Sequence, residues 1–140
     1  ETDLPRFEAI FENVVQSLID PADLTRRLET DAKGSVWFAS PTIGKIGRLD
    51  PATGAIKQWD SPSGERSHPY ALAVIDDVVW YNESGMRPDA LVRFDPASER
   101  FQSWAIPSGV GIVRNVWVTE EGDLLIHQTS SNRIGLVKIN

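Results

Sequence analysis

Residues 36–54 read Val36-Trp37-Phe38-Ala39-Ser40-Pro41-Thr42-Ile43-Gly44-Lys45-Ile46-Gly47-Arg48-Leu49-Asp50-Pro51-Ala52-Thr53-Gly54, and the chain then repeats them. The second copy is Val79-Trp80-Tyr81-Asn82-Glu83 followed by Ala90-Leu91-Val92-Arg93-Phe94-Asp95-Pro96-Ala97-Ser98-Glu99. A worn third copy is Leu124-Leu125-Ile126-His127-Gln128 followed by Asn132-Arg133-Ile134-Gly135-Leu136-Val137. Trp37 and Trp80 lie 43 residues apart, and Asp50 and Asp95 lie 45 apart. Short apolar strands recurring with a period of about 45 are the signature of β-propeller blades.

Each repeat parses into the same parts. Inner strands are expected at Arg27–Asp31, Ala71–Ile75 and Val113–Thr119, and second strands at Val36–Ser40, Val78–Glu83 and Leu124–Thr129. Third strands follow at Lys45–Leu49, Leu91–Phe94 and Ile134–Ile139, and outer strands at Ala55–Asp60 and Arg100–Ile106. Asp50-Pro51-Ala52-Thr53-Gly54 and Asp95-Pro96-Ala97-Ser98-Glu99 are turns, with Pro fixing φ and Asp able to accept backbone N–H groups ahead of it. The reading is all-β: three propeller-type blades of four-stranded antiparallel sheet, a partial β-propeller, over residues 24–140. Blade boundaries fall near 24–66, 67–110 and 111–140, and the third blade lacks an outer strand.

Residues 1–23 stand outside the repeat. Phe7, Ile10, Phe11, Val14, Val15, Leu18 and Ile19 fall on one helical face, and Asp20-Pro21 would stop a helix. Arg6–Ile10 also resembles the outer strand Arg100–Trp104, so a short helix and a closing strand both remain open.

The 140 residues suffice for one domain with a core. A formal net charge of −6 argues against general nucleic-acid binding, and no apolar run is long enough to span a membrane. With no cysteine, disulfides and thiolate chemistry are excluded. The expected protein is soluble, and nothing separates a cytoplasmic from a periplasmic home. No phosphate-binding Gly loop, Gly-x-Ser-x-Gly elbow or His-Glu-x-x-His is present.

Three blades do not close a ring, since propellers use four to eight. Self-association of two chains into a six-blade ring, with a homodimer as the partner state, answers that geometry.

Trp-Phe-Ala-Ser at 37–40, Lys-Ile-Gly-Arg-Leu-Asp-Pro-Ala-Thr-Gly at 45–54 and Trp-Tyr-Asn-Glu at 80–83 resemble the repeats of the virginiamycin B lyase (streptogramin B lyase) family. The resemblance covers about residues 24–140. It implies a seven-bladed propeller that opens a cyclic depsipeptide ester by elimination, helped by magnesium. It also implies a catalytic His in a Pro-His-Gly turn before an inner strand, and a Glu ending the second strand that helps hold the metal. Here the turn reads Ser67-His68-Pro69-Tyr70-Ala71, with Tyr70 where the His would be and Arg26 and Arg114 in the matching places. The Glu position holds Ser40, Glu83 and Gln128, so Glu83 alone keeps the carboxylate and is the candidate metal ligand. Phenols titrate near 10 and guanidinium stays protonated, so neither replaces an imidazole base directly.

His68, beside Tyr70, is the candidate displaced base; the plainer reading is an exposed loop His. His127 aligns with Asn82 on the second strands, and both are candidate ligand contacts, with packing between blades as the alternative for His127. Arg26 and Arg114 recur at one repeat position and suit an anionic ligand through paired N–H donors, unless each pairs with Asp31, Asp76 or Asp77. The five tryptophans read as packing between blades, and Arg48 and Arg93 as partners of the Asp in the following turn. The expected function is a lyase-like propeller whose central funnel binds a small polar or anionic ligand. The alternatives are a magnesium-dependent carbon–oxygen lyase and a non-catalytic scaffold or partial propeller.

Overall fold

The structure is a computed structural model that describes residues 25–107 and 113–139. The expected helix or closing strand at 1–23 lies outside the described residues. Among the described residues eleven strands run in chain order: β1 (Arg26–Thr30), β2 (Val36–Ser40), β3 (Lys45–Leu49), β4 (Ile56–Asp60), β5 (Pro69–Ile75), β6 (Val78–Glu83), β7 (Ala90–Asp95), β8 (Arg100–Ala105), β9 (Val113–Val118), β10 (Leu124–Gln128) and β11 (Arg133–Val137). Short 3₁₀ turns at Gly64–Ser67 and Thr129–Ser131 precede β5 and β11. Each sheet is an antiparallel meander. Blade 1 is β1-β2-β3-β4, blade 2 is β5-β6-β7-β8, and blade 3 is β9-β10-β11 among the described residues. The inner strands sit side by side, β1 beside β5 and β5 beside β9, so the blades fan out from one axis. This is the partial propeller that the repeat implied.

The alternation of side chains puts an apolar face on each side of a blade. The leading face of blade 1 (Trp37, Ala39, Ile46) packs against the trailing face of blade 2 (Leu72, Val79, Tyr81, Val92, Phe94). The leading face of blade 2 (Ala73, Trp80, Leu91) packs in turn on Val113, Val116, Leu124 and Ile126 of blade 3. The tryptophans divide accordingly. Trp37 stacks on Trp59 at 5.6 Å and Trp80 on Trp104 at 5.9 Å, each pair joining a second strand to its outer strand. Phe94 of blade 2 then packs against both Trp37 and Trp59. Trp117 departs from the expectation: it is 51% exposed and stacks on His127 within blade 3.

The hairpin turns explain the local sequence. Asp31 accepts from the N–H groups of Lys33 and Ser35 and from Trp37 Nε1, tying the β1–β2 turn to the core tryptophan. Burial pushes the Asp31 carboxyl up, but these donors, Trp37 first, outweigh it and hold it below its ordinary value. Asp50 and Asp95 cap their own turns, accepting from Ala52 N–H and Thr53 Oγ1, and from Ala97 N–H and Ser98 Oγ. The expected pairing of Arg48 and Arg93 with these carboxylates is therefore corrected. Arg48 lies over the Trp37 ring at 5.6 Å and Arg93 donates to Gln102, because strand side chains reach across the sheet more readily than along it.

Candidate functional site

Antiparallel pairing brings the start of each inner strand to the end of its second strand. Arg26 pairs with Ala39, Pro69 with Glu83, and Val113 with Gln128. All three blades thus present their candidate residues at one end of the fan, the mouth. A register shift breaks the ladder there in every blade: between Arg26 and Leu28, between Pro69 and Leu72, and opposite His127/Gln128. Bulges release residues from the pleat and re-aim their side chains.

In blade 1 the bulge residue is Arg27, at φ 43°, and its guanidinium lies over the Tyr70 ring at 5.6 Å. The sequence pattern pointed to Arg26 and missed Arg27, because a one-residue bulge is invisible in the repeat. Both arginines are exposed, and both line a cavity of about 780 Å³ walled by Leu28, Phe38, Leu72 and Trp117. Arg114 sits exposed at the start of β9, unpaired at the register shift between Val113 and Asn115. Among the described residues neither Arg26 nor Arg114 forms an ion pair; Asp77 pairs with Lys33 at 2.6 Å instead.

In blade 2, His68 follows the 3₁₀ turn at φ 51°, a left-handed conformation costly for a residue with a Cβ. The loop around it is pinned from both sides. Ser84 N–H donates to the His68 carbonyl at 3.1 Å, and Gly85 N–H donates to the Ser67 carbonyl at 2.9 Å. No side chain fits at Gly85, where a Cβ would stand 1.9 Å from the Arg66 carbonyl oxygen. The His68 ring is exposed and parallel to Tyr70, with ring centres 6.4 Å apart. Its Nδ1 lies 2.9 Å from Ser84 Oγ, and Ser84 Oγ donates its proton to the His68 carbonyl at 2.8 Å. That hydroxyl can only accept from the imidazole, so the neutral ring carries its proton on Nδ1 and leaves the Nε2 lone pair open. Arg27, Tyr70 and His68 form one stack across blades 1 and 2.

Asn82 is fully buried, and its Oδ1 accepts the Ala71 N–H at 2.9 Å within the bulge. Its Nδ2 has no hydrogen-bond partner among the described residues, nor do Ser40 Oγ, Ser67 Oγ and Asp89 Oδ2, all at the same end of the blades. Asp89, 1% exposed, receives Arg87 at 3.2 Å, and burial pushes its carboxyl up against the opposing pull of Val113 N–H and Arg87. His127 is half-buried on β10 with its ring against Trp117.

Glu83 is fully buried, and blade 1 occupies both its oxygens. Ser61 Oγ donates to Oε1 at 2.6 Å, Ser63 N–H to Oε1 at 3.0 Å, and Ser63 Oγ to Oε2 at 2.6 Å. Because Ser61 gives its proton to Glu83, the Tyr81 hydroxyl donates to Ser61 at 2.8 Å. Burial, with Glu83 adding to it, pushes that phenol far above its ordinary value, so it stays a donor. A hard cation wants six or more oxygens. Among the described residues no three His, Asp or Glu side chains gather for a metal. The residues around Glu83 do not fit magnesium; they clasp blade 2 to blade 1.

No family model matches the chain, and no curated protein matches it by sequence. Solved structures match it in fold. Virginiamycin B lyase from Staphylococcus aureus superposes with a TM-score of 0.74 at 17% identity, over 87% of this chain and 40% of that one. A catalytically inactive form of that enzyme, solved with quinupristin, gives 0.76 at 20% identity over the same shares. A streptogramin B lyase gives 0.75 at 21% identity over 86% and 40%. The fold is that of these lyases, and the chain spans about 40% of their length. Among the described residues no helix is long and apolar enough to cross a membrane.

Proposed function

We propose that this chain is a propeller unit whose mouth binds a small anionic or carboxylate-bearing ligand, in a funnel completed by further blades. The observation that carries the reading is the set of bulged strand starts, where Arg26, Arg27 and Arg114 bring guanidinium groups to the inner strands of blades 1 and 3. Guanidinium stays charged and offers forked donors to a carboxylate, and Ser67 Oγ and Asn82 Nδ2 add polar atoms without partners nearby. The test is titration calorimetry with succinate and with inorganic phosphate. A Kd below about 1 mM, weakened about tenfold or more by Arg27→Ala, supports the reading. No binding of either anion by the native chain removes it.

The open Nε2 of His68 favours a second reading, elimination across an ester. Nε2 would take a proton from the carbon next to the one that bears the ester oxygen. The electron pair then forms the carbon–carbon double bond as the carbon–oxygen bond breaks, and the carboxylate leaves toward the arginines. Such ring opening leaves the mass of a cyclic depsipeptide unchanged, whereas hydrolysis adds one water. Quinupristin, bound by the structural neighbour, is the probe. A linear product of unchanged mass, lost in His68→Ala, selects this reading. An intact ring leaves binding alone.

A further inference from the structure

The loop between the second and third strands has four residues in blade 1 (41–44) and in blade 3 (129–132), but six in blade 2 (84–89). Insertions confined to one repeat gather on the face that binds. The longer loop carries Arg87, which is held more tightly than an exposed arginine requires. Its side chain is 64% exposed, yet Nη1 donates to the Ser84 carbonyl at 2.9 Å, to the Met86 carbonyl at 2.6 Å and to Asp89 Oδ1 at 3.2 Å. Among the described residues these bonds all use Nη1, so the donors on Nε and Nη2 are left for a ligand. A guanidinium already fixed in place loses little freedom when it takes a carboxylate.

The anchors place this guanidinium in the mouth. Ser84 gives its carbonyl to Arg87 and its hydroxyl to His68 Nδ1, so both side chains are tied to one residue. Asp89 is buried, and its carboxyl takes the Val113 N–H as well as Arg87. Val113 opens β9, and the exposed Arg114 follows it. Arg87 thus stands between His68 and the start of blade 3. Arg26 and Arg27 stand at the start of blade 1, beyond Tyr70. Guanidinium groups therefore end a row that has the Tyr70 and His68 rings in its middle. The row crosses the joint of blade 1 with blade 2 and that of blade 2 with blade 3, both inside this chain.

We propose that Arg87 is a specificity-determining residue of the mouth: it takes the second acid group of a dicarboxylate whose first acid group sits at Arg26 and Arg27. The proposal rests on the reading of the mouth as an anion site and names the ligand class within it. A second group on the same molecule meets its partner without a further loss of overall freedom, so a diacid gains over a monoacid. Asp89 offsets the charge of Arg87, so the gain is that of one exposed, fixed pair, about threefold to tenfold in Kd.

The test is titration calorimetry with straight-chain dicarboxylates from succinate to suberate, each beside the monocarboxylate of equal carbon number. The native chain should prefer at least one diacid by about threefold to tenfold. In Arg87→Ala that preference should fall below about twofold while the monoacid Kd stays nearly unchanged, because the blade 1 arginines remain. Loss of the preference with the monoacid retained is a result that damage to the loop would not give. Arg93→Ala removes the same charge outside the mouth and should keep the preference. If Arg87→Ala binds neither acid, the Arg87 Nε–H signal of the native chain decides, identified by its absence in Arg87→Lys. A signal that moves with the preferred diacid and not with its monoacid upholds the proposal, and one that moves with neither overturns it. Acids bound without preference, or a preference that survives Arg87→Ala, overturn the role of Arg87 and leave the anion site standing. No acid bound by the native chain removes both.

Discussion

Removing the Glu83 carboxylate separates a clasp between blades from a site for a cation. In Glu83→Ala, Ser61 Oγ, Ser63 N–H and Ser63 Oγ lose their acceptor together. Hydrogen bonds to a charged group contribute about 1.5–3 kcal/mol each, and a buried donor left alone costs about 1–3 kcal/mol. Ser61 is buried and Ser63 half-buried, so water can answer part of the loss at Ser63. The expected cost is about 3–5 kcal/mol, a large share of the roughly 5–15 kcal/mol that holds a typical domain together. For a chain of this size that lowers Tm by about 10–20 °C. Glu83→Gln keeps the shape and one acceptor oxygen, and should cost about half as much. The assay is thermal and urea unfolding of the two variants beside the native chain. If Glu83→Ala melts within about 2 °C of the native chain, the three hydrogen bonds to Glu83 do not clasp blade 2 to blade 1.

Three further outcomes follow from the same contacts. Burial raises the Asp89 carboxyl, so its ionised form carries a cost in the fold that is absent below the unfolded value near 3.9. Asp89→Asn should raise Tm at pH 7, with the gain fading by about pH 4; an equal loss at both pH values would contradict this. Asp31, Asp50, Asp95 and Asp123 are held below their ordinary values, so their stabilising contribution is present above about 3.9 and lost as pH falls through their folded values. Urea midpoints should be flat near neutrality and drop below about pH 4, and a midpoint that rises into acid would refute the assignment. Gly85→Ala forces the loop off the Arg66 carbonyl, costing about 1–3 kcal/mol and displacing His68. Unchanged stability with an unchanged His68 ring environment would show that the loop is not pinned there.

The repeat carried the fold because its signals are redundant. Alternating strands, Gly turns and Asp-Pro corners recur together, and each element constrains the others' register. The strand ends moved by a residue or two: β5 begins at Pro69 rather than Ala71, since a bulged ladder still pairs at Pro69. The mouth was legible as a location, because antiparallel pairing must bring inner-strand starts to second-strand ends. Its details were not. A bulge adds one residue and turns neighbouring side chains to new directions, so Arg27 rather than Arg26 lies over Tyr70. Glu83 kept the expected strand-end place, yet Ser61 and Ser63 arrive from a loop of a different blade, a contact that no local pattern encodes. The Ser84 bond that fixes the His68 tautomer likewise depends on two loops meeting 16 residues apart.

The chain has two histidines, and they report on two different places: His68 at the mouth and His127 against Trp117 on blade 3. The most direct test of the mouth as an anion site is therefore nitrogen NMR of the imidazole rings during a succinate titration. The free-state His68 is expected to carry its proton on Nδ1, and the titration to shift the His68 ring while His127 stays still. A His68 ring protonated on Nε2 alone, or succinate moving neither ring, would contradict it.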